Sequence, residues 1–185
     1  MRLFVSLEPS PAAVEDLDDF LDVRRDAGHG LRWSSPDQWH VTLAFMGSAP
    51  DRVTEDVVAG VAVAADRLAP VPLAFEGGGC FPGVARARVL FAGVSDGAAL
   101  APLARAVRSA CSMAGAAPEG GPFHPHVTLA RFPRPADATR WVRVLDTYAG
   151  PPWTAAEVAV VASHLPRERG PRPRHEVLAR LPLLG

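Results

Sequence analysis

The chain has 185 residues, 48% of them apolar and 21% charged, with a formal net charge of −1. That bounds it to one domain with a real core, and nothing in the balance marks a duplex-DNA binder. All 19 basic residues are arginine, so Schiff-base, Walker A and nucleotidyl-lysine chemistry are excluded, and any phosphate must be held by Arg, backbone N–H groups, His or hydroxyls.

Arg2 to Leu7 reads as a buried strand. Ser10 and Pro11 supply an N-cap and a first-turn proline for a helix that Gly28 stops. Val14, Leu17, Phe20 and Leu21 form its apolar face, and Glu15, Asp16, Asp18, Asp19 and Asp22 read as a solvated one. A loop from Gly28 to Asp37 holds Leu31-Arg32-Trp33, where Trp33 reads as a packed side chain or a base-stacking one. A strand through His40-Val41-Thr42-Leu43 follows. Ser48 and Pro50 open a second helix carrying Val53, Val57, Val61, Ala64 and Leu68 at helical spacing. Val71 to Phe75 is a strand running into Gly77-Gly78-Gly79. Since Phe81-Pro82 follows instead of a helix, these glycines read as a turn or bulge, not a dinucleotide fingerprint.

Arg88 to Val94 is again strand-like, and Ser95 or Asp96 caps a third helix with Leu100, Leu103, Val107, Ala110 and Cys111 on one face. A strand through His126-Val127-Thr128-Leu129 comes next, then a shorter helix from Pro135 to Tyr148. Trp153 to Leu165 and His175 to Leu183 are strands, separated by a turn carrying Arg167, Arg169 and Arg172, which reads as a solubilising turn. Cys80 and Cys111 are too few and too far apart for a disulfide framework or a zinc site, and read as small buried apolar residues. Glu8 and Pro9 come too early for a signal peptide and no apolar run reaches membrane-spanning length, so a cytoplasmic protein is expected.

The tetrapeptide His-Val-Thr-Leu occurs twice, at 40 and at 126. Six His and six Thr shuffled over 185 residues give about 0.2 His-x-Thr triplets, so two inside identical tetrapeptides are a signal. On a strand the His and Thr share one face while Val and Leu share the other. The same order of strand, helix, His-x-Thr strand, helix and strand surrounds each copy. Adding the offset of 86 to Arg2 lands on Arg88, at the start of the strand opening the second unit. A single bilobal domain over 1–185, with repeat units 1–86 and 87–185, is the economical reading. Two such lobes face to face place two imidazoles and two hydroxyls in one cleft.

These residues resemble the two-histidine phosphoesterase superfamily, and within it the RNA 2′,3′-cyclic phosphodiesterases, also described as 2′-5′ RNA ligase-like proteins. Met1-Arg2-Leu3-Phe4-Val5, Leu31-Arg32-Trp33, Gly79-Cys80-Phe81-Pro82, Arg88-Val89-Leu90-Phe91 and Phe123 to Arg131 carry the resemblance over nearly the whole chain. Ala162-Ser163-His164-Leu165 departs from it, because members often read Glu-Ser-x-Leu there. The resemblance implies an α+β fold of two pseudo-symmetric lobes, each a mainly antiparallel sheet with two outer helices. It also implies His40 as proton donor, His126 as proton acceptor, and a monomer acting on RNA ends or nucleotides that bear a 2′,3′-cyclic phosphate.

The chemistry suits the residues. Opening a cyclic phosphate needs a base for the water and an acid for the departing ribose oxygen, on opposite sides of phosphorus, and imidazole titrates near neutral pH. Thr42 and Thr128 can donate to the non-bridging oxygens. Arg131 is a further substrate-binding candidate, although five residues after His126 a regular strand would turn it to the opposite face. No metal and no cofactor is required. His124-Pro125-His126 has strand spacing for a metal, but Gln38 stands where the first repeat would need His124. His29 and His175 read as surface residues. Other readings are ADP-ribose 1″,2″-cyclic phosphate or 2′-5′ oligoadenylate as substrate, or an RNA-end binding module without chemistry.

Overall fold

Short apolar runs punctuated by Pro and Gly build the strands of this chain, and four stretches with an apolar face build its helices. The computed structural model describes residues 1–28, 30–164 and 173–185. In chain order these are β1 (Arg2–Leu7), α1 (Pro11–Arg25), β2 (Arg32–Trp33), β3 (Val41–Met46), α2 (Thr54–Ala65), β4 (Val71–Leu73), β5 (Phe75–Phe81), β6 (Ala87–Val94), α3 (Ala101–Met113), β7 (His126–Ala136), α4 (Thr139–Leu145), β8 (Trp153–Ala155), β9 (Glu157–His164) and β10 (Arg174–Pro182).

Two four-stranded antiparallel sheets result, ordered β10-β9-β1-β3 and β2-β7-β6-β5, with β4 and β8 pairing as a small third sheet. Helices α2 and α3 pack on each other and on the first sheet, α3 against β3 and α2 against β9 and β10. Helix α4 lies on β5 of the second sheet. Helix α1 joins it there: Arg25 lies over Trp33 of β2, Phe20 packs on Tyr148 at 4.6 Å, and the Tyr148 hydroxyl donates to Asp16 at 2.6 Å. Asp16 is therefore engaged, where its acidic neighbourhood suggested only a solvated face. Two lobes, each an antiparallel sheet with two outer helices, match the expected architecture. Each sheet takes strands from both halves of the chain: β1 and β3 pair with β9 and β10, while β6 and β7 pair with β2 and β5.

Leu3, Val5 and Leu7 of β1 point into the main core, whereas Phe4 on the other face packs with Phe45, Ala159 and Val161. Phe4 is buried on that second face by its own-sheet neighbours and by the His40 and His175 rings, which explains the near-continuous apolar run of β1.

Both His-x-Thr strands carry the same bulge. Ser6 pairs with Thr42 and Val5 with Ala44, leaving Leu43 as the extra residue; Phe91 pairs with Thr128 and Leu90 with Ala130, leaving Leu129 extra. Leu43-Ala44 and Leu129-Ala130 are accordingly both buried as consecutive pairs. A bulge shifts the alternation by one, so residues three apart share a face. The pairing also makes Phe4 equivalent to Val89 and Ser6 to Phe91, one residue short of the 86-residue offset. By the same step Arg2 corresponds to Ala87, not to Arg88.

Several elements differ from the sequence reading. Ser10 caps α1 as expected, its hydroxyl accepting from the Ala13 N–H at 3.2 Å. Ser95 does not cap α3. Its hydroxyl accepts from the Ala74 N–H at 2.8 Å, and Asp96 adopts a positive φ of 51° in the turn before the helix. Helix α2 begins only at Thr54, after a 3₁₀ turn from Asp51 to Val53. Pro135 belongs to β7, an edge-reaching extension of the His-x-Thr strand, so α4 is shorter than its apolar spacing suggests. The glycine triplet sits inside β5, where the ladder slips between Phe75 and Gly78 and Gly77 takes φ 61°. Cys111 is buried, but Cys80 is only half-buried on β5. The segment with Arg167, Arg169 and Arg172 lies outside the described residues, as does His29.

Candidate active site

His40 ends the chain segment leading into β3, and His126 begins β7, so each imidazole stands at the mouth of its own sheet. Each ring is oriented by the same backbone device. Nδ1 of His40 donates to the Gln38 carbonyl at 2.7 Å, and Nδ1 of His126 donates to the His124 carbonyl at 2.7 Å. A carbonyl can only accept, so Nδ1 carries the proton in both neutral rings. Nε2 is then the titrating nitrogen, and among the described residues it meets no hydrogen-bonding protein group on either ring. The two sites sense each other: a charge on His126 disfavours a charge on His40.

Aromatic walls back both imidazoles. Phe4 stacks on His40 with centroids 4.7 Å apart and planes 18° from parallel. Phe81 and Phe91, stacked at 4.6 Å, meet His126 at 5.0 and 5.2 Å. Burial against these rings is the main reason that both histidines titrate below the ordinary value. Among the charged neighbours, His175 disfavours the charged form of His40 and Glu8 favours it, whereas His124 and Arg131 both disfavour the charged form of His126. A second histidine flanks each: His175 lies 5.7 Å from His40, and His124 lies 6.2 Å from His126.

Thr42 and Thr128 lie opposite Ser6 and Phe91, on the faces that carry Phe4 and Phe91. Among the described residues neither hydroxyl has a hydrogen-bond partner. Arg131 is brought to the same face as Thr128 by the Leu129 bulge, which answers the parity problem posed by its spacing from His126. Thr42 thus shares a face of the first sheet with Phe4, and Thr128 and Arg131 share one face of the second. An open groove of about 470 Å³ by Arg24, Asp137, Arg140 and Arg143 includes none of the five candidate residues. Among the described residues no three of His, Cys, Asp and Glu converge as a metal-binding set, and no helix is long and apolar enough to cross a membrane.

A family model described as the 2′-5′ RNA ligase superfamily matches residues 9–167. The chain belongs to the 2′-5′ RNA ligase superfamily. A protein of Geobacillus stearothermophilus named RNA 2′,3′-cyclic phosphodiesterase is 31% identical over 158 residues, 83% of this chain and 48% of that one. One of the same name from Aquifex aeolicus is 34% identical over 103 residues, 55% of each chain. The chain thus spans about half the length of these curated relatives. The crystal structure of TT0787 of Thermus thermophilus superposes with a TM-score of 0.78 at 29% identity, covering 100% of this chain and 99% of that one. The apo structure of Escherichia coli LigT, at 22% identity and a TM-score of 0.79, covers 100% and 98% and shares the fold.

The sequence reading named His40, His126, Thr42 and Thr128 as the site, but it left out His175, which lies 5.7 Å from His40. That residue is no surface bystander: it is half-buried, edge-on to Phe4 at 5.0 Å, and burial lowers its pKa. Its signal was its place on a strand alternating with Val177, visible only once β10 is known to pair with β9. Trp33 packs against Trp141 at 5.3 Å. His164 is exposed and bound to Glu176 at 2.9 Å, pointing off the cleft face.

Proposed function

We propose that this chain hydrolyses 2′,3′-cyclic phosphate ends of RNA to 2′-phosphomonoesters by acid–base catalysis between two histidines. The observation that carries the reading is the matched pair of imidazoles, each with Nδ1–H tied to the carbonyl two residues earlier and Nε2 unengaged. His126 Nε2 takes a proton from water as it attacks phosphorus. His40 Nε2–H gives a proton to the departing ribose 3′ oxygen. After turnover His126 is charged and His40 neutral, and proton exchange with solvent resets the pair.

The acid must be charged at the start and the base neutral. Glu8 favours a charged His40 but His175 and His126 oppose it, and His124 and Arg131 favour a neutral His126, so the division of roles rests on the family resemblance. Arg131 and the hydroxyls of Thr42 and Thr128 hold the non-bridging oxygens, whose charge grows in the transition state. In this reading neither metal nor cofactor takes part, one chain over 1–185 suffices as a monomer, and the names of the relatives point to the same substrate class.

The test is product analysis of a nucleoside 2′,3′-cyclic phosphate incubated with the protein in EDTA. A 2′-phosphomonoester as the sole product supports the reading; a 3′-phosphomonoester or no product removes it.

A further inference from the structure

The first sheet carries a polar row that the catalytic quartet does not use. Ser163 of β9 pairs with Arg2 of β1 on one side and with His175 of β10 on the other. Directly opposed residues on adjacent strands put their side chains on the same face. That face is the cleft face, because Phe4 lies two residues along from Arg2, and the Arg2 guanidinium sits 5.1 Å over the Phe45 ring. The row adjoins the catalytic centre: His175 meets Phe4 at 5.0 Å and His40 at 5.7 Å.

Among the described residues the row is unsatisfied. Arg2 has no carboxylate within ion-pair distance, and neither the Ser163 hydroxyl nor the His175 ring makes a hydrogen bond. Elsewhere on this sheet a charged group finds its partner, as Arg180 does with Glu8 and Glu157. A guanidinium, a hydroxyl and an imidazole in one line, half-buried and without hydrogen-bond or ion-pair partners among the described residues, match the oxygens of a phosphate diester. In the other sheet the cation on the corresponding face is Arg131, which stands beside His126. The two sheets therefore carry their cations at different positions.

We propose that Arg2, Ser163 and His175 form a second phosphate subsite, which holds the phosphodiester immediately 5′ of the cyclic phosphate. This rests on the phosphodiesterase reading above and adds a substrate class: RNA ends with at least one further phosphate, laid over the His40 lobe.

The experiment compares a nucleoside 2′,3′-cyclic phosphate with the same compound phosphorylated at its 5′ oxygen, so that base and reacting centre stay constant. In the wild-type protein the 5′-phosphorylated compound should have a kcat/KM at least about tenfold higher, mainly through KM. That ratio should fall toward one in Arg2→Gln, fall partly in His175→Gln and Ser163→Ala, and be retained largely in Arg2→Lys. Since each ratio is read within a single variant, a general loss of stability does not imitate the result. Equal turnover of both compounds by the wild type, or a ratio that persists in Arg2→Gln, His175→Gln and Ser163→Ala alike, overturns the subsite alone. Failure to hydrolyse either compound overturns the phosphodiesterase reading and the subsite with it.

Discussion

Arg131 occupies in one sheet the position that Phe45 occupies in the other. Both lie three residues beyond their His-x-Thr threonine, and both are turned onto the cleft face by the same one-residue bulge. Where symmetry puts an aromatic ring under Arg2, the second lobe has a cation beside His126. Replacing Arg131 with Gln should lower kcat/KM by about 10²-fold through the lost contact to a developing oxyanion. It should also move the His126 titration upward, toward the ordinary imidazole value, because a positive neighbour is gone. A pH–rate profile of the variant against wild type measures both effects.

The pH dependence follows from the direction of the shifts. His40 and His126 both titrate below the ordinary imidazole value of about 6.5 in the free protein, chiefly by burial. The form with one charged and one neutral imidazole is then most populated on the acid side of 6.5. The kcat/KM profile, which reports the free protein, should be bell-shaped with its maximum below about pH 6.5. A bound cyclic phosphate, a monoanion, favours imidazolium, so the kcat profile should peak at higher pH.

Glycines 78 and 79 separate folding from catalysis. A Cβ on Gly79 would lie 2.7 Å from the Phe91 ring, whereas one on Gly78 would lie 2.5 Å from the Phe91 carbonyl oxygen. A ring can swing but a ladder carbonyl cannot. Gly79→Ala should keep the fold and reduce kcat by disturbing the Phe81–Phe91 wall behind His126. Gly78→Ala should instead lower the melting temperature, with an expected loss of about 1–3 kcal/mol. Thermal unfolding and turnover of the two variants, measured side by side, distinguish these outcomes.

Stability should also depend on pH. His40, His126 and His175 all resist protonation when folded. The unfolded chain takes up these protons near pH 6.5, and the folded protein only at lower pH. Folding stability is therefore fully present above about 6.5 and is lost as the pH falls through the folded values. Urea midpoints between pH 8 and 5 should decline on the acid side, and the decline should be shallower in a His40→Gln/His126→Gln double variant.

Much of the site was legible because its chemistry is local to two tetrapeptides. Thr42, His126 and Thr128 could be assigned to strands from alternation alone, with His40 just ahead of β3, and the repetition made them a pair. What escaped was set by pairing between distant segments. A strand as short as Arg32–Trp33 exists only because it lies against Ala130 and Arg131. Arg131 depends on a bulge that an uninterrupted Val-Thr-Leu-Ala run does not announce. His175 is drawn into the site by β9, and the β6 register slips by one residue relative to the repeat offset. Ser95 looked like a helix cap because serine favours that position, but the N–H of Ala74 claims its hydroxyl.

The central claim is that His40 and His126 act as one acid–base pair. Its most direct test is kcat/KM for a nucleoside 2′,3′-cyclic phosphate in EDTA, measured for wild type, His40→Ala, His126→Ala and the double variant. Each single variant should lose about 10²–10⁴-fold, and the double should be scarcely worse than the poorer single, as expected of residues that work as a unit. Single variants that turn over like the wild type would contradict the account.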